Sequence, residues 1–189
     1  MALRSHWRTH ESCGSDNLID ERQNMKKAPV ITCLFLDIGG VLLTDGWSHG
    51  ASKLAAKAFG LNFKELNKRH REALDTYELG KLTIEEFLNQ VVFYEKRPFT
   101  PAQFRKFMFA QSKPYPEMIE LVRKLKAKYG LKIVVVSNEG RELNAYRIRK
   151  FKLDGLVDSF ISSCFVHLQS PTRTSFDLRW ISLRRKPHR

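Results

Sequence analysis

The sequence has few cysteines and no long apolar run, and each absence excludes a class of protein. Its 189 residues contain three cysteines, Cys13, Cys33 and Cys164, too few for a disulfide framework and typical of a reducing cytoplasm. The longest apolar stretch, Val30–Leu36, is far shorter than the roughly 20 residues of a membrane helix. Residues 1–20 lack the apolar segment of a secretory signal. We therefore expect a cytoplasmic protein with no membrane partner.

The sequence also lacks a recognisable metal-binding or nucleotide-binding pattern. His49, His70 and His167 share no metal-ligand spacing, and we interpret them as structural or exposed residues. Cys33 lies inside an apolar run and Cys164 just after another, so buried, inert thiols are expected rather than nucleophiles. The dinucleotide pattern Gly-x-Gly-x-x-Gly is absent.

Positive charge is abundant, and its distribution decides what it indicates. The net charge is +13, of which the last 21 residues carry +5. Elsewhere the excess is spread over helical segments and interleaved with Glu, which is typical of solvated helix faces. No aromatic and basic module accompanies it, so we expect no specific nucleic-acid partner, although the tail could bind polyanions weakly. A second interpretation of the positive charge is that it attracts anionic substrates.

Three apolar runs alternate with helical patterns and define the expected fold. Val30–Leu36, Ile133–Val136 and Val157–Ser162 are typical of strands, the first two buried on both faces of a sheet. Strands separated by helices form parallel sheets with right-handed crossovers. The sequence therefore predicts an α/β fold, a three-layer Rossmann-like parallel sheet.

Helices are expected between the first two strands and after each of them. Thr83 and Thr100 each begin a capping box, the second with proline at the first helical position. An amphipathic stripe from Met118 to Tyr129 ends at Gly130, and a further helix is expected from about Arg141 to Phe151.

Small polar residues follow two of the predicted strands. These are Asp37-Ile38-Gly39-Gly40 and Ser137-Asn138. The carboxyl ends of parallel strands form the ligand crevice of such sheets. Asp37 is suited to act as a nucleophile or Mg²⁺ ligand, while amides of Gly39 and Gly40 and the Ser137 hydroxyl could hold phosphate oxygens. Taken singly, the same residues are also common turn formers and helix caps.

These segments resemble two motifs of the haloacid dehalogenase superfamily of hydrolases. The first motif is similar to residues 34–42, and the second to residues 134–138. The helical stretch between them, including residues 77–87, looks like the helical cap of phosphatase-like members. The resemblance implies a core formed by residues 28–45 and 113–168, with the cap at residues 46–112.

The resemblance implies a role for each matching residue. Asp37 would be the nucleophile of phosphate-ester hydrolysis and a Mg²⁺ ligand, forming an aspartyl phosphate with a small phosphorylated metabolite. Ser137 would hold the transferring phosphoryl group, and Asn138 would orient the site. Gly39 stands where the family usually has the aspartate that protonates the leaving group, and its main-chain carbonyl could still bind the metal.

Departures from the family pattern keep other functions open. Glycine at position 39 supplies no acid, and members that cleave carbon–halogen bonds also lack that aspartate, so a dehalogenase is a minor alternative. The family's third motif supplies a lysine that neutralises negative charge, and its fourth supplies an acidic pair that completes the Mg²⁺ site. Neither has a match after residue 168. Without their charges, phosphoryl transfer loses much of its stabilisation. The expectation is an impaired hydrolase, with a catalytically inactive binding or regulatory module, or a non-functional fragment, as the alternative.

The composition changes abruptly at Gln169, which suggests a frame-shift. With permitted codons, a frame one base earlier encodes Lys-Pro-Asp-Thr-Asp-Ile-Phe-Arg from this point, which resembles the family's third motif and its helix. We therefore interpret residues 169–189 as an aberrant basic tail on a C-terminally incomplete core. Residues 1–27 are interpreted as a disordered extension, with Met25 as a possible ancestral start.

The missing segment has a consequence for the sheet. In this superfamily the strand that carries the nucleophile is central, and its second neighbour comes from the segment that has no match here. The run Val30–Leu36 would then form an apolar edge, which predicts marginal stability and poor solubility. The sequence makes no prediction of the oligomeric state.

Overall fold

The structure is a computed structural model and describes residues 30–169. The predictions for residues 1–27 and, apart from Gln169, for the basic tail lie outside the described residues. The described elements in chain order are β1 (Cys33–Leu36), α1 (His49–Phe59), α2 (Phe63–Glu78), α3 (Ile84–Val91), α4 (Pro101–Ala110), α5 (Pro116–Tyr129), β2 (Lys132–Ser137), α6 (Arg141–Lys150), a 3₁₀ turn (Leu153–Gly155), β3 (Ser159–Ser162) and α7 (Ser163–Val166).

The three strands form one parallel sheet in the order β1-β2-β3. Phe35 lies opposite Val134, and Val135 lies opposite Phe160. Helices connect the strands, as crossovers between parallel neighbours require. The predicted α/β class with a parallel Rossmann-like sheet is confirmed. In the described part of the chain, β1 pairs with β2 alone.

The first strand is shorter than its apolar run predicts. It begins at Cys33 rather than Val30, because its partner β2 begins at Lys132 directly opposite. The Lys132 amide still donates to the Thr32 carbonyl at 2.9 Å, and upstream of this point β2 offers no residue for pairing. Pairing partners, rather than apolar character, therefore set where this strand starts.

The third strand also starts later than its sequence pattern predicts. Val157 belongs to the hydrophobic core beside the 3₁₀ turn, and extended pairing begins at Ser159. Burial of an apolar side chain therefore does not require it to lie in a strand.

The helices α1–α4, residues 49–110, are called here the four-helix insertion, and they share one hydrophobic cluster, to which Leu143 of α6 also belongs. Both predicted capping boxes are present: Thr83 exchanges hydrogen bonds with Glu86, and Thr100 with Gln103. The cluster is aromatic-rich and includes Trp47, Tyr77, Phe87, Phe104 and Met108. No helix in residues 30–169 is long and apolar enough to cross a membrane.

A second cluster fills the space between the sheet and its helices. Its buried members come from the loop after β1, from α5, from β2 and from the segment before β3, and include Ile38, Leu42, Val122, Ile133, Val135 and Leu153. Helix α5 ends at Gly130, whose φ of 62° is the left-handed conformation expected of a terminating glycine.

Candidate active site

Asp37 and Ser137 meet at the carboxyl ends of β1 and β2. Leu36 pairs with Val135, so the parallel register brings the residues that follow to the same edge of the sheet. The Ser137 hydroxyl donates to Asp37 Oδ1 at 2.7 Å, and the Ile38 amide donates to the same oxygen at 2.6 Å. Asp37 Oδ2 accepts no hydrogen bond from residues 30–169. The carboxylate is therefore fixed through one oxygen and free at the other.

The loop after Asp37 is a compact turn that changes the role expected of Gly40. The Gly40 amide donates to the Leu43 carbonyl at 2.8 Å, so it is not free to bind a phosphate oxygen, and that expectation is corrected. Gly40 instead supplies the positive φ of 71° that closes the turn. The Gly39 amide makes no hydrogen bond within the described residues and remains able to contact an anion.

Asn138 follows Ser137 directly and is half-buried at the end of β2. Its predicted orienting role stays a prediction.

A buried ion pair lies behind the site and is absent from the sequence prediction. Arg147 on α6 is 1 % exposed and Glu139 is 5 % exposed, and the Arg147 Nη1 donates to Glu139 Oε1. Arg147 Nε also donates to Ser112 Oγ at 3.0 Å, and Nη2 donates to the Thr44 carbonyl at 2.9 Å. One guanidinium therefore joins the loop after β2 to both chain segments that flank the four-helix insertion.

The ionisation of Glu139 reflects its surroundings. Burial raises the pKa of Glu139 to about 7, and the nearby charge of Asp37 acts in the same direction. Arg147 acts in the opposite direction and favours the carboxylate.

The C-terminal end of α2 packs closely against the same loop. The Glu139 amide donates to Ser163 Oγ at 3.1 Å, and that hydroxyl donates to the Glu78 carbonyl at 2.6 Å. A methyl group at Gly140 would lie about 2.0 Å from the Tyr77 ring, so glycine is needed for this close approach. Ser163 thus connects the end of α2 to the loop that follows Ser137 through two hydrogen bonds.

The described residues can supply some of the oxygen ligands that Mg²⁺ prefers. Asp37 offers its carboxylate, and Gly39 offers a main-chain carbonyl two residues later. Among residues 30–169 there is no group of three or more His, Cys, Asp or Glu side chains arranged for a metal. Because Mg²⁺ keeps several waters and often takes only one or two carboxylates, this partial set fits the ion.

Cys164, His70 and His167 lie in surroundings that suit structural roles. Cys164 is fully buried, and burial raises the pKa of its thiol to about 11, which agrees with an inert residue. His70 is buried between the rings of Trp47 and Phe87 in the insertion. His167 Nδ1 lies 2.8 Å from the Leu79 carbonyl.

A cavity of about 430 Å³ lies between α4 and α6. The rings of Phe109 and Tyr146, which line it, stack with centroids 4.7 Å apart. The lining consists of Arg105, Phe109, Arg141, Glu142, Ala145, Tyr146 and Arg149. Asp37 and Ser137 are not among them, so we treat this cavity as separate from the candidate active site.

Comparisons with known proteins agree on one family. The model of the haloacid dehalogenase-like hydrolases matches residues 31–189. A haloacid dehalogenase family enzyme from Bacteroides thetaiotaomicron, solved as a magnesium complex, is 18% identical, with a TM-score of 0.61 over 76% of this chain and 73% of its own. A predicted family hydrolase from Porphyromonas gingivalis is 20% identical, with a TM-score of 0.53 over 76% and 72%.

A third solved structure, a dehalogenase, has the same fold. It is 23% identical, with a TM-score of 0.51 over 76% of this chain and 67% of its own. The comparison with curated proteins gives no match. These structural similarities establish the fold and leave the reaction to the residues of the site.

Proposed function

This chain belongs to the haloacid dehalogenase-like hydrolases, and from that premise we propose that it hydrolyses phosphate monoesters through a covalent aspartyl phosphate on Asp37. The observation that carries the proposal is the 2.7 Å hydrogen bond from Ser137 Oγ to Asp37 Oδ1. It holds one carboxylate oxygen while the other remains available for attack on phosphorus. Carboxylate nucleophiles of this kind are an established route for phosphoryl transfer.

The proposed reaction has two steps. Asp37 Oδ2 attacks phosphorus as the bond to the leaving oxygen breaks, which gives the aspartyl phosphate and, once the leaving oxygen takes up a proton, an alcohol. Water then attacks phosphorus, which releases inorganic phosphate and restores the carboxylate. The Gly39 amide would bind a phosphoryl oxygen, the Ser137 hydroxyl would turn from Asp37 Oδ1 to another phosphoryl oxygen when substrate binds, and Asn138 would orient the group. Mg²⁺, held by Asp37 and the Gly39 carbonyl, would neutralise phosphoryl charge when bound.

We propose that turnover is slow in this chain. Phosphoryl transfer depends mainly on positioning and on neutralisation of negative charge. Arg147 is the buried cation near the loop after β1, and its guanidinium is already committed to Glu139, Ser112 and Thr44. The lysine and the second acidic pair of the family pattern have no match at residues 169–189.

The proposed substrate is a small phosphorylated metabolite in the cytoplasm. The four-helix insertion would act as the cap that limits access, because its Tyr77 ring lies against Gly140 in the loop that follows Ser137. Exclusion of water from such a site strengthens the electrostatic interactions within it.

Two substitutions test the proposal. Purified protein is assayed for Mg²⁺-dependent release of phosphate from p-nitrophenyl phosphate, alongside Asp37→Asn and Ser137→Ala. We expect no turnover from Asp37→Asn, and a loss of about 10²–10³-fold in kcat from Ser137→Ala because one oxyanion donor is removed. Ser137→Thr, which keeps the hydroxyl, is the matched control and should retain most activity.

The same assay separates the alternatives. Phosphate release that survives Asp37→Asn would refute the nucleophile. Halide release from a 2-haloacid, lost in Asp37→Asn, would favour a dehalogenase, which the glycine at position 39 and the shared fold keep in consideration. Ligand binding that Asp37→Asn leaves unchanged, without turnover, would favour an inactive binding or regulatory module.

A further inference from the structure

The proposed reaction needs a proton donor that Gly39 cannot supply. An alkoxide is a poor leaving group, and its departure is assisted when a positioned acid protonates the leaving oxygen. Gly39 has no side chain, so the proton must come from a neighbouring residue. The acid should lie beside Gly39, carry an exchangeable proton and be open to the substrate.

Asp45 meets these geometric conditions. A methyl group at Gly39 would lie 3.6 Å from Asp45 Oδ1, and one at Gly40 would lie 3.0 Å from the same oxygen. The carboxylate of Asp45 therefore lies in the space that a side chain at position 39 would enter. Asp45 is exposed and has no hydrogen-bond or ion-pair partner among residues 30–169.

The other charged group at this point cannot act as the acid. Arg147 Nη1 would lie 3.8 Å from a methyl group at Gly39. A guanidinium stays protonated in proteins and does not exchange its proton with a leaving group. Its Nη1 is also bound to the buried Glu139.

The chain on both sides of Asp45 is firmly held. The Thr44 amide donates to the Lys113 carbonyl at 2.8 Å, Thr44 Oγ1 donates to the Gln111 carbonyl at 2.7 Å, and the Thr44 carbonyl accepts from Arg147. Gly46 has a φ of 65°, and a methyl group there would overlap the Arg147 guanidinium. Asp45 thus lies between two fixed residues, which sets where its side chain leaves the backbone.

We propose that Asp45 is the general acid and base of the reaction, in place of the side chain missing at position 39; this rests on the proposed function. The protonated carboxyl of Asp45 gives its proton to the leaving oxygen as the P–O bond breaks and Asp37 becomes phosphorylated. The Asp45 carboxylate then takes a proton from the water that attacks phosphorus. Phosphate leaves, and both aspartates return to their starting states.

The dependence of the rate on the leaving group tests the role of Asp45. The wild type and Asp45→Asn are compared on substituted phenyl phosphates, which share a shape and differ in leaving-group pKa. For phenyl phosphate, a poor leaving group, we expect a fall of about 10²–10⁴-fold in kcat/KM, the usual contribution of general acid catalysis. For dinitrophenyl phosphate, whose leaving group needs no proton, the change should be small. Equal losses on both substrates, or none on phenyl phosphate, would overturn the proposal.

Two further variants separate chemistry from structure. Asp154→Asn makes the same change in the 3₁₀ turn that follows α6. Helix α6 leads away from the end of β2 that carries Ser137, so this variant should act on the phenyl phosphates as the wild type does. Gly39→Asp in the Asp45→Asn background should restore activity on phenyl phosphate, because position 39 has a negative φ and a methyl group there would meet its neighbours only at ordinary contact distances of 3.6 to 3.8 Å. Activity that persists in Asp37→Asn would refute the proposed function itself. If Asp37→Asn abolishes activity but Asp45→Asn lowers kcat/KM equally for both phenyl phosphates, only the role of Asp45 is refuted.

Discussion

Arg147 is the single residue on which most of the loops around Asp37 converge. Its guanidinium binds Glu139, Ser112 and the Thr44 carbonyl, and it is almost wholly buried. A buried charge is tolerated when it is paired and hydrogen-bonded, and it becomes costly when its partner is removed. The ion pair therefore makes the arrangement of these loops sensitive to a single substitution.

Replacing Arg147 should destabilise the protein strongly. Arg147→Met leaves Glu139 buried without its cation, so we expect a loss of about 3–5 kcal/mol in the free energy of unfolding, measured by urea denaturation. Arg149→Met, at an exposed position on the same helix, is the control and should change stability by no more than about 0.5 kcal/mol. A similar effect of the two substitutions would contradict the assignment. Glu139→Gln added to Arg147→Met should recover part of the loss.

At this scale the sequence predicts some of the site and misses the rest. Asp37 and Ser137 are predictable because each follows a buried strand, and parallel strands bring their ends together. Arg147 is one of several basic residues on α6, and nothing local separates it from a solvated helix face. The proposed role of Asp45 and the burial of Glu139 are equally hidden, because the first depends on how the turn after β1 folds back and the second on residues that only the fold brings together.

At the scale of secondary structure elements, local signals are reliable where the determinant is local. The capping boxes at Thr83 and Thr100 and the terminal Gly130 lie where the sequence predicts them. The starts of β1 and β3 are predicted two or three residues too early, because a strand begins where its neighbour can pair. The apolar pattern carries no information about that neighbour.

Asp158 links three elements and provides a test of how β3 is held. It accepts from the Ile133 amide of β2 at 2.8 Å and from Lys126 of α5 at 2.8 Å. The hydrogen bond from the Ile133 amide, followed by the interaction with Lys126, lowers the pKa of Asp158 to about 2. Because the folded-state pKa lies below the ordinary value, this stabilisation is present at neutral pH and is lost as the pH falls towards 2.

Asp158→Asn should therefore lower stability in a pH-dependent way. We expect a lower Tm than that of the wild type at pH 7 and convergence of the two melting curves as the pH approaches 2. Thermal unfolding followed by circular dichroism at pH 7, 4 and 2 measures this, with Asp154→Asn as the matched substitution. A difference that stays constant over this range would show that the charge of Asp158 does not stabilise the fold.

At the scale of the fold, the pairing of β1 within residues 30–169 differs from what the resemblance implies. The resemblance places the strand that carries the nucleophile in the middle of the sheet, whereas in residues 30–169 β1 pairs with β2 alone. All four of its residues are only partly buried, and Leu34 and Leu36 pack against the core from one side. An unpaired apolar edge is a site for association with other chains.

We therefore expect marginal stability and a tendency to aggregate. Light scattering and thermal melts of the purified chain test this, and a monodisperse monomer with a cooperative melt would contradict it.

The proposed frame-shift provides a matched comparison. A chain in which the alternative frame replaces residues 169–189 should be more soluble. Sequencing the gene near codon 169 tests the frame-shift, since codons incompatible with that frame would exclude it. The family match, which runs to residue 189, leaves this question to the nucleotide sequence.

The central claim is that Asp37 becomes covalently phosphorylated, and chemical trapping tests it most directly. The protein is incubated with Mg²⁺ and p-nitrophenyl phosphate, treated with borohydride, which reduces an acyl phosphate to an alcohol, and analysed by peptide mass spectrometry. We expect conversion of residue 37 to homoserine only when substrate is present, and in Ser137→Ala only a small fraction of the wild-type yield. Phosphate release without any modification of Asp37 would show that hydrolysis does not proceed through an aspartyl phosphate.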